Sequence, residues 1–348
     1  MEETLAIRPI AGLSDGAHAG NNRGHRLAIG GRNTPTFAAA EIIGRDRHGT
    51  RRRRLSAREL RADPDARLAQ LLTQLETPRA AIAGLTFDAP RVMGIVNVTP
   101  DSFADGGRYA DSGAAVEHAL RLEAEGADIL DIGGESTRPG AARIDVEEEC
   151  RRVLPVIDAL LRQARVPLSI DTRHSEVMRR AAAAGVRLIN DVSALRHDPA
   201  SLATVADSGA AVVLMHALGE PATMQDAPQY ADVVLDVYDF FRERIASSEA
   251  AGIARNRLIL DPGIGFGKTL AHNLALLASL SLFHSLGCVV MLGASRKSFI
   301  GHLTGAPVAD RLPGSLAAAL IGAAQGIQIL RVHDVAATRQ ALAVWQAA

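Results

Sequence analysis

Polar side chains able to bind or catalyse recur at one kind of place in this sequence, directly after short apolar runs. Asn97 and Asp101 follow the run 92–96, Glu135, Thr137 and Arg138 follow 129–132, Asp171 follows 167–170, and Asn190 and Asp191 follow 187–189. Met215 and His216 end and follow 211–215, Asp261 follows 258–260, residues 295–298 follow 289–292, and Arg331 and His333 close 327–331. Singly, any of these reads equally well as a helix cap or a turn residue, because Asp, Asn and Ser are favoured there. Eight together are hard to assign to capping. Of the 38 basic residues only two are lysine, Lys268 and Lys297. A compact ammonium fits small sites that a planar guanidinium cannot enter, so both lysines become functional candidates.

Three segments carry chemistry of their own. The stretch 97–107 holds Phe103 between polar residues and ends in Gly106 and Gly107, which suits a loop that is mobile when empty and closes over substrate. The stretch 133–140 reads the same way, with Arg138 offering a bidentate anion contact and Pro139 rigidity. The stretch 261–268, DPGIGFGK, invites a phosphate-binding P-loop reading. It fails that test, since its spacing is not GxxxxGK[ST] and no second nucleotide element appears.

The elements that must position these residues change in texture near residue 90. From Arg91 onward, eight short β-rich runs alternate with helical patterns at 114–125, 146–161, 176–184, 233–251 and 315–324. Eight strands each followed by a helix predict an α/β fold, a (β/α)8 TIM barrel over 91–348, of a size near the ~250 residues typical of it. In that fold the chemistry sits at the carboxyl ends of the strands, where these polar residues lie. Residues 1–90 form an N-terminal extension. Leu68, Leu71, Leu72 and Leu75 predict an amphipathic helix ending before Pro78, and Arg51–Arg54 with the mixed charges after them suggest a solvated helical face. A closed barrel leaves no sheet edge to cover, so a chain beginning near Ala89 is expected to fold.

Composition limits the function classes. With 38 basic against 39 acidic residues the net charge is −1, too near neutral for wrapping nucleic acid or an anionic membrane. The most hydrophobic window, 316–330, is broken by Gln325, Gly326 and Gln328 and is too short to span a bilayer. Met1, Glu2 and Glu3 put acid where a signal peptide needs base. Cys150 and Cys288 lie far apart without CxxC spacing, which fits reduced thiols in the cytoplasm.

In this order and spacing the motifs resemble the dihydropteroate synthases, a pterin-binding TIM-barrel family of the folate pathway. The pieces are MGIVNVTPDSF from Met93, DIGGESTRPG from Asp131, SIDT from Ser169, INDV from Ile189, LMH from Leu214, LDPGIGFGK from Leu260, SRKS from Ser295 and RVHD from Arg331. One departure is Ala217, where the family often has methionine. Residues 1–90 lie outside the resemblance.

The resemblance implies a transferase that condenses 6-hydroxymethyl-7,8-dihydropterin pyrophosphate with 4-aminobenzoate, giving 7,8-dihydropteroate and pyrophosphate, with Mg2+ as cofactor and a homodimer as assembly. It implies that Asp171, Asn190, Asp261, Lys297, Met215, Phe266 and Gly265 receive the pterin. Phe103, Thr137, Arg138, Pro139, Phe266 and Ser298 would meet 4-aminobenzoate; Asn97, Thr137, Arg331 and His333 the pyrophosphate; and Asn97 the metal. Asp101, Lys297, Arg331 and His333 would be catalytic, with Asp101 stabilising the cationic pterin carbon. Three other readings stay open. A pterin-dependent methyltransferase would share the pterin set without the anion features, and a non-catalytic paralogue would bind pterin without turnover. A Schiff-base aldolase would need a lysine in an apolar setting that lowers its pKa, which neither lysine shows in sequence.

Overall fold

A computed structural model of the chain describes residues 3–10, 26–30, 35–98, 108–135, 144–219, 224 and 227–347, without the side chains of 108–111. Asp101, Phe103, Thr137, Arg138 and Pro139 lie outside the described residues, as do most of the two loops expected to close over substrate.

Eight parallel strands close into a barrel: β6 (Arg91–Asn97), β7 (Ile129–Gly133), β8 (Leu168–Asp171), β9 (Leu188–Asp191), β10 (Ala211–Met215), β11 (Leu258–Asp261), β12 (Val289–Leu292) and β13 (Ile329–Val332). They are short and almost wholly buried because helices cover the outer face and side chains fill the inner one, which is why they read as unbroken apolar runs. Closure is made by β13 against β6, where Ile329 pairs Arg91 and Val332 pairs Gly94. Around the barrel run α3 (Arg108–Ala124), α4 (Val146–Gln163), α5 (Ser175–Ala184), α6 (Ser201–Ser208), α7 (Val233–Ala250), α8 (Leu270–Leu277), α9 (Ser298–Thr304), α10 (Leu312–Ala324) and α11 (Val335–Ala347). Several start where the sequence supplies a cap. Asp145 accepts the Glu148 N–H at the head of α4, and Asp232 accepts two N–H groups at the head of α7.

Among its described residues the extension folds into five short strands and two helices. Strands β1 (Thr4–Pro9), β4 (Ala39–Asp46) and β5 (Gly49–Ser56) form an antiparallel sheet in the order β1-β4-β5, beside a two-residue pairing of β2 (Leu27–Ala28) with β3 (Thr36–Phe37). Helix α1 (Ala57–Arg61) leads to α2 (Ala66–Glu76), the amphipathic helix predicted from its leucines. Arg51–Arg54 is corrected: these residues lie on edge strand β5, not on a helix. Pairing with β4 outweighs the helix preference of arginine, and the side chains find counterions across the surface, Arg52 on Glu41 and Asp232 and Arg53 on Asp63.

The extension grips the barrel along one side and across its floor. Thr4 Oγ1 donates to Asp239, Arg45 pairs with Asp236 and Asp239, and Ser281 Oγ donates to the Pro9 carbonyl at 2.7 Å. The half-buried Arg79 donates to the carbonyls of Cys288 at 3.0 Å and His284 at 2.9 Å, tying down the 3-10 turn Leu280–Leu286. Ile82 and Phe87 pack with Met93, Ile129, Leu188, Val213, Ile259 and Met291 inside the amino-terminal end of the barrel. The expectation for a chain beginning at Ala89 therefore changes, since that start removes the apolar plug of the floor.

Phe87→Ala in the full chain is expected to cost about 3 kcal/mol, the usual scale for a buried phenylalanine, and a chain starting at Ala89 to lose more or to aggregate. Thermal unfolding monitored by circular dichroism checks both; an unchanged midpoint for the shortened chain would show that the floor closes without the plug.

Candidate active site

The carboxyl ends of the strands surround a cavity of about 920 Å³ lined by Asn97, Glu135, Asp171, Asn190, Met215, Asp261, Gly265, Phe266, Lys268, Ser295, Lys297, Ser298, Arg331 and His333 among others. Eleven of the sequence-derived candidates are thus brought to one place from seven strand ends: Asn97, Asp171, Asn190, Met215, Asp261, Gly265, Phe266, Lys297, Ser298 and the pair Arg331 and His333 on β13 and just after it. Asp191 is buried beside them but turns to its own loop, accepting from the Ser193 and Leu195 N–H groups.

The centre of the site is a guanidinium half-buried in the cavity wall. Arg331 Nε donates to Asp131 Oδ2 at 2.6 Å and its Nη2 to Asp171 Oδ2 at 2.7 Å, joining β13 to β7 and β8. Burial alone would lower the Arg331 pKa, but the two carboxylates outweigh it and the net shift is upward, so the charge is permanent. Burial pushes Asp171 up from the usual carboxylate range, and Arg331 pulls it back. Asp334, the acid nearest to Arg331 in sequence, pairs instead with Arg296.

Two further carboxylate and amide groups face the cavity. Asp261 Oδ1 accepts the Gly263 N–H at 2.8 Å, and burial raises its pKa. Asn190 Nδ2 donates to Asp131 Oδ2 at 2.9 Å, which leaves its carbonyl oxygen for the cavity. Lys297 Nζ sits 4.0 Å from the centroid of the Phe266 ring, a cation–π contact that holds ammonium and aromatic face together at the rim. His333 Nδ1 lies 3.0 Å from Ser295 Oγ; burial and then Arg331 lower its pKa to about 4, so the ring is neutral at pH 7.

The glycine-rich loop after β11 is riveted rather than wrapped around a phosphate. Lys268 Nζ lies 2.9 Å from His216 Nδ1 and donates to the carbonyls of His216 at 3.2 Å and Phe266 at 3.0 Å. Gly263, at φ +67°, comes so close to β10 that a Cβ would stand 2.0 Å from the His216 carbonyl oxygen, so no other residue fits. Burial lowers Lys268 to about 7, which corrects the expectation that neither lysine has a setting that depresses its pKa. That setting arises where the loop folds back on β10, a contact that linear sequence does not display. The amine is nonetheless committed to three acceptors, which leaves a Schiff-base role without an available nucleophile.

Sequence reasoning assigned no role to Asp131, to the His216–Lys268 and Ser295–His333 contacts, or to Arg296 and Arg311 on the cavity wall. For Asp131 the signal was present, an acid inside the apolar run of β7 that alternation turns toward the barrel interior. No group of three or more His, Cys, Asp or Glu arranged to hold a metal occurs among the described residues.

The family model described as "Pterin binding enzyme" matches residues 93–333. The dihydropteroate synthase of Escherichia coli (strain K12) is 50% identical over 263 residues, 76% of this chain and 93% of that protein. That of Neisseria meningitidis serogroup B is 52% identical over 268 residues, 75% of this chain and 93% of that protein. Among solved structures, Xanthomonas albilineans dihydropteroate synthase with 4-aminobenzoic acid superposes with a TM-score of 0.73 at 57% identity, covering 78% of this chain and 97% of that one. The same enzyme in complex with 7,8-dihydropteroate gives a TM-score of 0.71 at 54% identity, covering 78% and 98%.

The buried neutral histidines set an acid limit on stability. His216, lowered to about 2 by burial and then by Lys268, binds its proton in the unfolded chain near pH 6.5 but not in the folded one, so stability falls as pH drops through 6.5. His216→Gln is expected to make the stability–pH curve shallower by up to about 1.4 kcal/mol per pH unit between pH 6 and 4. Urea titrations across that range check it; parallel curves for the two proteins would count against a neutral His216.

Proposed function

The chain belongs to the dihydropteroate synthases of the pterin-binding enzyme family, and from that membership we propose how its residues divide the reaction. The activity is the condensation of 6-hydroxymethyl-7,8-dihydropterin pyrophosphate with 4-aminobenzoate in folate biosynthesis, a transferase reaction that releases pyrophosphate and 7,8-dihydropteroate. The observation that carries the residue assignment is the convergence of Asp261, Asn190, Asp171, Lys297, Arg331 and His333 on one cavity.

A pterin shows donors and acceptors along one edge. Asp261, with one oxygen held by Gly263, keeps a carboxylate oxygen for the ring amino group and N–H. Asn190 offers its carbonyl oxygen and Lys297 a donor for the pterin carbonyl and ring nitrogen, over a floor that includes Met215 and Gly265. Bond breaking places negative charge on the departing pyrophosphate, which Arg331 and His333 receive, and the amine nitrogen then forms its bond to the cationic exocyclic carbon. An aniline nitrogen is already neutral at pH 7, so no strong base is needed, and its proton leaves to solvent after attack. Asp101 would stabilise the cationic carbon before attack. Phe266 and Ser298 at the cavity rim, with Phe103, Thr137, Arg138 and Pro139, form the 4-aminobenzoate side of the reading.

Mg2+ belongs to this proposal. Asn97 lines the cavity and offers an amide oxygen, a hard donor of the kind Mg2+ accepts when substrate phosphates and water supply the rest of its shell. When bound the ion would neutralise charge on the leaving group. A homodimer is likewise proposed, supported by the exposed Leu303, Val308 and Ile321. A cytoplasmic setting is supported by two free, buried thiols.

Pyrophosphate release that requires 4-aminobenzoate is the expected activity; release at the same rate without it would contradict the assignment. Asp261→Ala is expected to weaken pterin binding by about 10- to 100-fold, since a charged partner is lost. Arg331→Lys keeps the charge but cannot bridge two carboxylates and an anion together. It is expected to lower kcat by about 100-fold with a smaller change in KM, the pattern of a contact made mainly in the transition state. Steady-state kinetics separates this from a purely structural ion pair, which would lower the unfolding temperature and leave turnover per folded molecule intact.

A further inference from the structure

We infer that Asp131 is a positioning residue that ties the pterin half of the site to the pyrophosphate half. This rests on the reading above, in which Asn190 meets the pterin and Arg331 the leaving anion. Asp131 lies on β7, is fully buried, and does not line the cavity. One of its oxygens, Oδ2, accepts both the Asn190 Nδ2 donor at 2.9 Å and the Arg331 Nε donor at 2.6 Å. A single atom therefore orients a side chain of each subsite.

The consequence for Asn190 is a choice of face. An amide can present either its donor or its acceptor, and Asp131, which in its ionised form can only accept, takes the NH2 end. The cavity is then offered the acceptor, which complements a ring amino or N–H group and repels a second acceptor. The consequence for Arg331 is a choice of tilt. With Nε committed to Asp131 and one Nη2 proton to Asp171, the fork is locked in rotation, and three of its five N–H bonds remain for an arriving anion.

Stability does not account for Asp131. Its Oδ1 is buried without a hydrogen-bond partner among the described residues, and so is the hydroxyl of Ser169, its register neighbour on β8. A buried carboxylate with one oxygen lacking a donor is costly, and packed hydrophobic side chains in place of Asp131, Asn190 and Arg331 together would serve the fold at least as well. What a hydrophobic side chain could not do is hold Asn190 and Arg331 in register.

The test uses the full chain and Asp131→Asn, which replaces the carboxylate oxygen shared by Asn190 and Arg331 with a neutral amide oxygen, a markedly weaker acceptor for a guanidinium N–H. Binding of 6-hydroxymethylpterin and of pyrophosphate with Mg2+ is measured separately by calorimetry, alongside kcat, KM and the unfolding midpoint. Both affinities are expected to fall about tenfold with kcat falling further, while the midpoint holds or rises. In double-mutant cycles, Asp131→Asn should add little to the pterin loss of Asn190→Ala and little to the pyrophosphate loss of Arg331→Lys. Both affinities within twofold of wild type, or losses that add fully in both cycles, would overturn the coupling. Should the amide variant fail to fold, Asp131→Ser, too short to reach both partners, is put through the same cycles. Silent Asn190→Ala and Arg331→Lys variants would sink the subsite assignment and the coupling with it, whereas strong effects there beside a silent Asp131 variant would sink the coupling alone.

Discussion

The site is organised around one half-buried cation, Arg331, held between Asp131 and Asp171. Taking a guanidinium and two carboxylates out of water is expensive, and their mutual attraction repays it only when geometry and hydrogen bonding are good. Here the repayment is incomplete, because Asp131 keeps an orphan oxygen among the described residues. Arg331 is fixed by two carboxylate oxygens, yet three of its five N–H bonds are directed to neither of them. Lys297 adds a second positive charge at the rim, on the far side of the cavity from the barrel floor.

The same logic of committed donors explains the loop after β11. A lysine buried without a carboxylate is normally an active-site device, but Lys268 spends its hydrogens on a ring nitrogen and two carbonyls. It thereby fixes the backbone that carries Gly263, Gly265 and Phe266, and so fixes where Asp261 and the Phe266 ring stand. The glycine richness that looks like a phosphate cradle is a requirement of close backbone approach to β10, as the His216 carbonyl against Gly263 makes plain. One of the two lysines in the chain is therefore structural in its contacts and the other faces substrate space, although composition singled them out together.

Much of this was legible in the sequence, for reasons that can be named. The barrel strands are short runs of Val, Ile and Leu because both faces are buried, and the polar residue that ends each run is the one that emerges at the cavity; hence Asp171, Asn190, Asp261 and Arg331 were found by position alone. Asp131 was passed over because it sits inside a strand, one residue earlier than the rule looks. Pairings between distant loops, such as Ser295 with His333 and Arg296 with Asp334, depend on which strand ends are neighbours around the barrel and have no local signature. The extension was least legible. Two of its strands are two residues long, β5 carries four consecutive arginines that mimic a helix surface, and its plug residues Ile82 and Phe87 are separated from the rest of the floor by whole elements.

That plug bears on the site through rigidity rather than contact. The layers of side chains inside the barrel run from Ile82 and Phe87 at the floor, through Met93, Ile129 and Met291, up to Asp131 and Ser169, and then to Asp171 and Asn190 at the mouth. Close-packed interiors transmit displacement, because no layer can shift without opening a void in the next. A floor held by the extension through Arg79, and closed by an aromatic ring, therefore limits how far the charged layer can relax when its two carboxylates repel each other. The acidic layer is tolerated because what lies beneath it cannot give way, and the apolar floor is in that sense part of the electrostatics of the mouth.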